Sequence, residues 1–180
     1  MSDSEVPEGT DAPDEITAPS HEMVHDVLVV RGDAIPVLHP TRDQLVGLVR
    51  TLRDDDGFAM CLDVTAVDHL DNEARLPLPD GIAPERFEVV IHLISHERHE
   101  RFRLRVQVPA SDPVCPSIFE VHPGSEAMER ETYDMFGIRF EGHPDLTRIL
   151  MPEDWDGHPL RKDHPVGRIP VQFKAANDTR

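Results

Sequence analysis

The 180-residue sequence is poor in cysteine, in aromatic residues and in basic side chains. Its two cysteines, Cys61 and Cys115, cannot by themselves ligate an iron–sulfur cluster. We expect two reduced, buried thiols, although the pair also permits a disulfide. No stretch approaches the roughly 18 apolar residues of a membrane-spanning helix. The N-terminus has neither a basic nor an apolar region, so we expect no secretory signal or transit peptide and a location in a bacterial cytoplasm.

Acidic residues outnumber basic ones by 35 to 18, and the formal net charge is −17. Residues 1–22 hold seven acidic side chains and no Lys or Arg, whereas residues 143–180 are formally neutral, so 23–142 carries the remaining −10. Such a chain repels nucleic acid and anionic lipid, and we expect neither as a partner. Residues 1–22 hold too little apolar surface to offset the entropy of ordering, which predicts a disordered acidic tail.

Residues 23–142 show the patterns of an α+β domain, with a mixed or antiparallel sheet and helices packed on one face. "MVHDVLVVRG" indicates a short strand. A helix is predicted to begin after Thr41, because Thr41 and Gln44 fit a capping box and an apolar stripe follows at helical spacing: Leu45, Leu48, Val49 and Leu52.

"FAMCLDVTAVDHL" predicts a buried strand in which Met60, Leu62 and Val64 alternate inward. Asp63 and Asp68 are five residues apart on this strand and therefore face opposite sides, so they cannot act as a paired acid and base.

Two further segments, "RFEVVIHLISH" and "RFRLRVQVP", alternate apolar and polar residues and predict a β-hairpin with one core face. The second segment places Arg101, Arg103 and Arg105 on the other face. A nucleic-acid-binding stripe is one interpretation of this row. The acidic whole favours the other, a solvated sheet face paired with Glu88.

A second helix is predicted from Ser125, as N-cap, to about Phe136, with Gly137 just beyond its C-terminus. One face carries Met128, Thr132, Met135 and Phe136, and the other predicts ordinary surface pairing among Glu126, Arg130 and Asp134. Glu129 and Glu131 point roughly 200° apart, so they cannot share one substrate.

Residues 143–180 combine core-grade apolar residues with prolines that prevent long helices and central strands. This composition predicts an extended arm that either wraps its own domain or is buried on partners. We favour partners, because the domain's core elements already look complete. Its fixed charges need opposite charges if they are buried, and we hypothesise that Arg148 or Arg161 meets Glu131. The histidines near prolines, His122, His143, His158 and His164, match no usual zinc spacing and are interpreted as turn residues.

The block "ERETYDMFGIRFEGHPDLTRILMPEDWDGHPLRKDHP", residues 129–165, resembles the hallmark segment of the C subunit of respiratory complex I, the proton-pumping NADH:quinone oxidoreductase. The upstream "LDVTAVDHL" is similar to a strand of that family, and the resemblance covers roughly residues 40–170. It implies a bacterial peripheral-arm subunit on the cytoplasmic side, attached to the membrane only through the complex. It also implies that FMN, iron–sulfur clusters and quinone are bound by partner subunits, and that the arm lies against subunits B and D.

The resemblance implies no catalytic, cofactor-binding or metal-binding residue in this chain. The expected interface and structural residues are Glu129, Arg130, Glu131, Tyr133, Asp134, Phe136, Gly137, His143, Arg148, Trp155, Leu160, Arg161, Lys162 and Asp163. Two alternatives stay open. One is the equivalent subunit of a ferredoxin-linked or membrane-bound hydrogenase complex, and the other is a stand-alone hydrolase using Glu129, Glu131, Asp134 and nearby histidines.

Overall fold

A computed structural model describes residues 22–31 and 35–165 of the chain. The predicted disordered tail lies outside these residues, except for Glu22, which begins the first strand. The described elements are β1 (Glu22–Val24), β2 (Val27–Val30), β3 (Val37–Leu38), α1 (Arg42–Asp54), β4 (Met60–Asp68), β5 (Phe87–Ser95), β6 (Glu100–Val108), β7 (Val114–Pro116), α2 (Glu126–Phe136) and β8 (Arg139–Glu141).

The main sheet has six strands in the order β1-β2-β3-β6-β5-β4. Its neighbouring strands are antiparallel except for the β3–β6 pair, which is parallel, and a separate two-stranded ribbon pairs β7 with β8 in parallel. Both helices contribute to one core cluster together with one face of the sheet. The predicted α+β class with a mixed sheet is therefore confirmed. In the described part of the chain, no helix is long and apolar enough to span a membrane.

The predicted hairpin is confirmed as β5 and β6, whose register pairs Phe87 with Val108 and Leu93 with Phe102. Arg105 donates to Glu88 at 2.6 and 2.9 Å, so that ion pair is also confirmed. The face is not solvated around this pair, because Glu88 is only 2% exposed, whereas Arg101 on the same face is exposed as predicted. The loop between β4 and β5 lies over this face, where Arg75 donates to Gln107 at 2.7 Å.

Helix α1 begins as predicted, with a complete capping box between Thr41 and Gln44. Its apolar stripe is buried in the core, as the helical spacing predicts. Phe58 follows the helix and stacks on Phe102 with ring centroids 4.5 Å apart, which closes this end of the core.

Strand β4 departs from the predicted alternation in its first half. The register shifts at a bulge between Cys61 and Asp63. Met60 and Leu62 are consequently 48% and 38% exposed, so their predicted burial is wrong. Beyond the bulge, Asp63 is exposed and Asp68 is buried, which confirms that the two carboxylates face opposite sides.

The N-terminal strand segment forms a two-stranded hairpin instead of one strand. His25 and Asp26 both have positive φ, 47° and 61°, which is the backbone of a two-residue hairpin turn. The two cysteines are free thiols, as expected, although Cys61 is only partly buried.

Candidate protein interface

Helix α2 ends where the sequence predicts, at Gly137, whose φ of 70° is the left-handed conformation that favours glycine. Its start differs from the prediction. Ser125 occupies the N-cap position but makes no capping hydrogen bond. Its hydroxyl instead donates to the Glu129 carboxylate at 3.1 Å.

Asp134 is the residue whose predicted position is most clearly wrong. It is fully buried instead of lying on the surface of α2. Its Oδ2 accepts hydrogen bonds from three consecutive backbone amides of the arm, those of Ile149, Leu150 and Met151, at 3.0, 2.8 and 2.9 Å. Its Oδ1 accepts from Arg148 Nη1 at 2.7 Å. The surface pairing predicted for the other two residues, Glu126 and Arg130, is present at 3.1 Å.

These contacts decide the charge state of Asp134. Burial alone would raise its pKa. The hydrogen bonds from Met151, Leu150, Arg148 and Ile149 outweigh burial and hold the pKa of this carboxyl below its ordinary value. Asp134 is thus an anion that accepts four hydrogen bonds and attaches the arm to α2.

The hypothesis that Arg148 or Arg161 meets Glu131 is wrong. Arg148 pairs with Asp134 and also donates to the Gly157 carbonyl at 3.0 Å. Arg161 Nε donates to the Phe136 carbonyl at 2.5 Å, at the C-terminal end of α2. Cations at this end are favoured by the free carbonyls and the helix dipole. Glu131 is exposed to solvent.

Gly137 allows the arm to approach the end of α2 closely. A Cβ built on Gly137 would lie 2.5 Å from His158 Cδ2 and Nε2, and 2.6 Å from Arg161 Nη2. His158 donates from Nδ1 to the Asp134 carbonyl at 2.9 Å, and its ring meets Tyr133 edge-on at 6.2 Å between centroids. Burial and nearby arginines lower the pKa of His158 despite that hydrogen bond, so the ring is a neutral structural donor.

A second attachment joins the arm to the end of β4. Asp68 accepts from Arg86 Nε and Nη2 at 3.0 and 2.9 Å, and from the Lys162 backbone amide at 2.9 Å. Arg86 also pairs with Asp163 at 2.8 Å. Burial would raise the pKa of Asp68, but these hydrogen bonds, with one from the Leu70 amide, lower it to about 2. The Phe87 ring completes this corner, with the Arg86 and Arg161 guanidinium carbons 4.7 and 5.1 Å from its centroid.

Glu129 is also fully buried but serves a different purpose. It accepts from Ser117 Oγ at 2.5 Å and from the Ile118 amide at 2.9 Å, in addition to Ser125. Burial outweighs these hydrogen bonds and raises the pKa of Glu129 above its ordinary value. Glu129 therefore organises the loop before α2 and makes no hydrogen bond to the described arm.

Two more predicted residues hold the beginning of the arm. Arg130 donates to the Thr147 carbonyl and hydroxyl at 3.1 and 2.9 Å. His143 donates from Nε2 to the Glu126 carbonyl at 3.1 Å, while its Nδ1 accepts from the Asp145 amide.

Apolar side chains of the arm remain on the outside. We call them the arm face: Ile149, Leu150, Trp155 and Leu160, which are 42%, 59%, 40% and 51% exposed. Leu160 is held in place by its backbone amide, which donates to the Met135 carbonyl at 3.0 Å. The described arm attaches to its own domain through backbone and charged groups and through Leu146 and Met151, which pack against the core. It also presents four large apolar groups to its surroundings.

This arrangement does not assemble a hydrolytic centre from the candidate acids. Glu129 and Asp134 are each occupied by structural hydrogen bonds on different sides of α2, and Glu131 is exposed. A groove of about 700 Å³ at the end of β4 is lined by Asp68, Asp71 and Leu160, and by none of those three acids. Among the described residues, no group of three or more His, Cys, Asp or Glu side chains could hold a metal ion.

The attachment of the arm by Asp68 and Arg86 was not predicted from the sequence. The strand pattern places Asp68 at the end of β4, but nothing in it connects this carboxylate to Lys162, 94 positions later. The available signal was an acidic residue at the end of a largely apolar strand. That signal is too common to identify a contact.

The family model for the 30 kDa subunit of respiratory-chain NADH dehydrogenase matches residues 38–169. The chain belongs to this family. Curated relatives include the NADH-quinone oxidoreductase C subunit of Saccharopolyspora erythraea, 46% identical over 86% of this chain and 58% of the relative. The C subunit of Salinispora arenicola is 41% identical over 94% of this chain and 65% of the relative. The chain thus spans little more than half the length of the first and about two thirds of the second.

Two solved structures are similar to this chain. The trypsin-resistant fragment (1-134) of Nqo5 is similar with a TM-score of 0.56 and 32% identity, over 67% of this chain and 89% of the fragment. A chain of the membrane-bound sulfane sulfur reductase, an archaeal respiratory membrane complex, has a TM-score of 0.62 at 23% identity, over 78% of both chains. At that identity the second likeness shows a shared fold alone.

Replacing Asp134 by Asn should release the arm from α2. The substitution keeps the size of the side chain but removes the charge that accepts from Arg148 and three amides, so we expect a loss of about 1–3 kcal/mol. Hydrogen exchange at the amides of residues 149–151 should become roughly tenfold faster or more. Glu131→Gln, an exposed acid on the same helix, is the matched control. Equal exchange rates in both variants would contradict the assigned role of Asp134.

Replacing Gly137 by Ala should destabilise the protein more than replacing Gly142 by Ala. Both glycines have left-handed backbone, with φ of 70° and 88°, so both variants incur a similar backbone cost of about 1–2 kcal/mol. Only at Gly137 would the new Cβ collide with His158 and Arg161, since nothing lies within 4 Å at Gly142. Urea unfolding of the two variants tests the difference, and equal midpoints would refute the close approach.

Asp68 should make the protein sensitive to acid. Because its folded pKa of about 2 lies below its ordinary value, the charged carboxylate stabilises the fold above that ordinary value. The contribution should be lost as the pH falls from about 5 to about 2. Asp68→Asn lacks this contribution, so its deficit in free energy of unfolding should be largest near pH 6 and shrink toward pH 2. A deficit that stays constant over this range would rule out the ion pair as its source.

Proposed function

We propose that this chain is a non-catalytic subunit of the peripheral arm of an NADH-quinone oxidoreductase, namely its C subunit. Membership in the 30 kDa subunit family supports this assignment. In the proposal, NADH oxidation, FMN, iron–sulfur clusters and quinone reduction belong to partner subunits. The chain lies on the cytoplasmic side of a bacterial membrane and is attached only through the complex.

The observation that carries the proposal is the arm face. Its side chains stay outside while the backbone beneath them is bonded to Asp134 and Asp68. Completing the burial of four half-buried apolar side chains is worth on the order of 3–6 kcal/mol before the costs of association. A surface of this kind, held in a set shape, is suited to a protein partner. We assign it to contacts with subunits B and D.

The role given to charged residues follows from the same geometry. Asp134 of α2 and Asp68 of β4 fix the arm instead of reacting with a substrate, because the chain's own donors fill their acceptor sites. Glu129 is occupied in the same way by the loop before α2. The interface residues expected in the block divide accordingly. The conformation of the arm is held by four of them: Asp134, Arg148, Arg161 and Asp163. The apolar contact surface is formed by Trp155 and Leu160.

The test compares substitutions on the arm face with a matched exposed apolar residue elsewhere. Trp155→Ser combined with Leu160→Ser should reduce co-purification of subunits B and D by tenfold or more, with a parallel loss of NADH:quinone activity in membranes. Met23→Ser alters a side chain that is 56% exposed on β1 and should change neither. The isolated double variant should unfold close to the normal urea concentration, because both side chains are substantially exposed.

Normal assembly and normal quinone reduction by the double variant would overturn the proposal. Point substitutions are a sharper test than deleting residues after Gly142. The deletion would also leave the buried Asp134 carboxylate without its four donors, and a folding defect would then imitate an assembly defect.

A further inference from the structure

The second face of the sheet, opposite both helices, holds a cleft that the proposed function does not use. Glu88 and Gln107 face each other across β5 and β6 on this side and bond at 2.6 Å. The loop between β4 and β5 lies over them, because Arg75 donates to the Glu85 carbonyl at 2.8 Å and to Gln107. The loop and the sheet form the two sides of a cleft that is open to solvent.

The cleft consists of two cavities of about 730 and 340 Å³, within the size range of small-molecule sites. His39 and Arg105 line both cavities, and we call this shared point the waist. The larger cavity has aliphatic and proline walls: Val29, Val30, Val37, Leu76, Pro77, Leu78 and Pro79. The smaller one is lined by Pro40, Thr41 and Arg42, at the N-terminus of α1.

The waist holds polar atoms that have no partner among the described residues. His39 is only 5% exposed, and its Nδ1 is buried without a partner among the described residues. Leaving such an atom unpaired costs roughly 1–3 kcal/mol, so it marks a place where a polar partner is missing. Arg105 uses Nε and Nη2 to bind Glu88, and no described residue accepts from its Nη1.

Charge at the waist favours an anionic acceptor. Glu88 is the one carboxylate bonded there among the described residues, and two arginines surround it, Arg105 in direct contact and Arg75 at 3.6 Å. The first turn of the 13-residue helix α1 adds the positive end of its dipole to the smaller cavity. The carboxylates that line the cleft, Glu22, Asp80 and Glu85, each line only one cavity, whereas His39 and Arg105 line both.

We propose that this cleft binds a small aliphatic carboxylate, with its chain in the larger cavity and its carboxylate at the waist beside His39 and Arg105. The apolar walls on one side, and the Arg105 Nη1 donor with the unpartnered His39 nitrogen between the cavities, select this chemistry. A neutral alcohol lacks the charge, an ammonium has the wrong sign, and acetate lacks the chain.

The experiment is isothermal titration calorimetry of the full-length chain with octanoate, and with octanol, octylammonium and acetate as probes. Octanoate should bind at least tenfold more tightly than each of the other three. Octanol binding equal to octanoate binding would overturn the assignment of a carboxylate head, and acetate binding equal to it would overturn the aliphatic chain.

Substitutions at His39 locate the site. His39→Phe keeps a ring of similar size but removes the unpaired nitrogen, so the fold should survive and octanoate affinity should fall tenfold or more. His39→Asn restores a polar atom, of either donor or acceptor character, close to the position of Nδ1 and should recover most of that loss. His96→Phe, on an exposed turn, should bind octanoate normally.

Amide and indole resonances provide a readout independent of affinity. Octanoate should shift the amides of Val29 and Val37, which line the larger cavity, and leave the Trp155 indole on the arm face unchanged. Shifts confined to Trp155 would show binding to the arm face and would refute the cleft. Unchanged octanoate affinity in His39→Phe would refute it as well.

Discussion

The Asp134 carboxylate accepts hydrogen bonds from three consecutive backbone amides and from Arg148, and the shape of the described arm depends on it. A segment with several prolines and no regular secondary structure has few internal bonds to hold one conformation. A buried anion with four donors replaces those missing bonds at a single point. Asp68 is a second buried carboxylate of this kind: it accepts from the Lys162 amide, at the other end of the described arm, and from Arg86.

The arm is therefore attached to its own domain on one side and forms an exposed surface on the other. Arg148, Arg161 and several backbone amides of the arm face inward, where they find partners and burial is tolerated. The apolar side chains of the arm face are left outside, which is the reverse of an ordinary domain surface. Membership in the 30 kDa subunit family and this inverted polarity support the same assignment, that of a chain whose chemistry lies in its contacts.

The two faces of the sheet are specialised differently. The face under the helices is an apolar core that includes Leu104 and Ile91, with no exposure beyond 1% at either residue. The opposite face carries a buried polar cluster around Glu88, beneath a long loop. The alternation along β5 and β6 predicted that the faces would differ. It did not predict the loop that covers the polar one, because segments without periodicity carry no signal of where they pack.

From the sequence alone, local periodicity and helix-capping residues were sufficient to predict several features. These are both helices, the β5–β6 hairpin, the end of α2 at Gly137, and the placement of Asp63 and Asp68 on opposite faces of β4. These features depend on residues within a few positions of one another, or on a period of 2 or 3.6. Only the tertiary structure decided that Asp134 is buried, that Arg148 pairs with it rather than with Glu131, and that β4 bulges so that Met60 and Leu62 are exposed. Each of these outcomes depends on which distant backbone amides or strands come near. The spacing of residues in a helix or strand is the same whether a polar residue contacts solvent or an arm that folds back over it, so the spacing alone cannot distinguish the two.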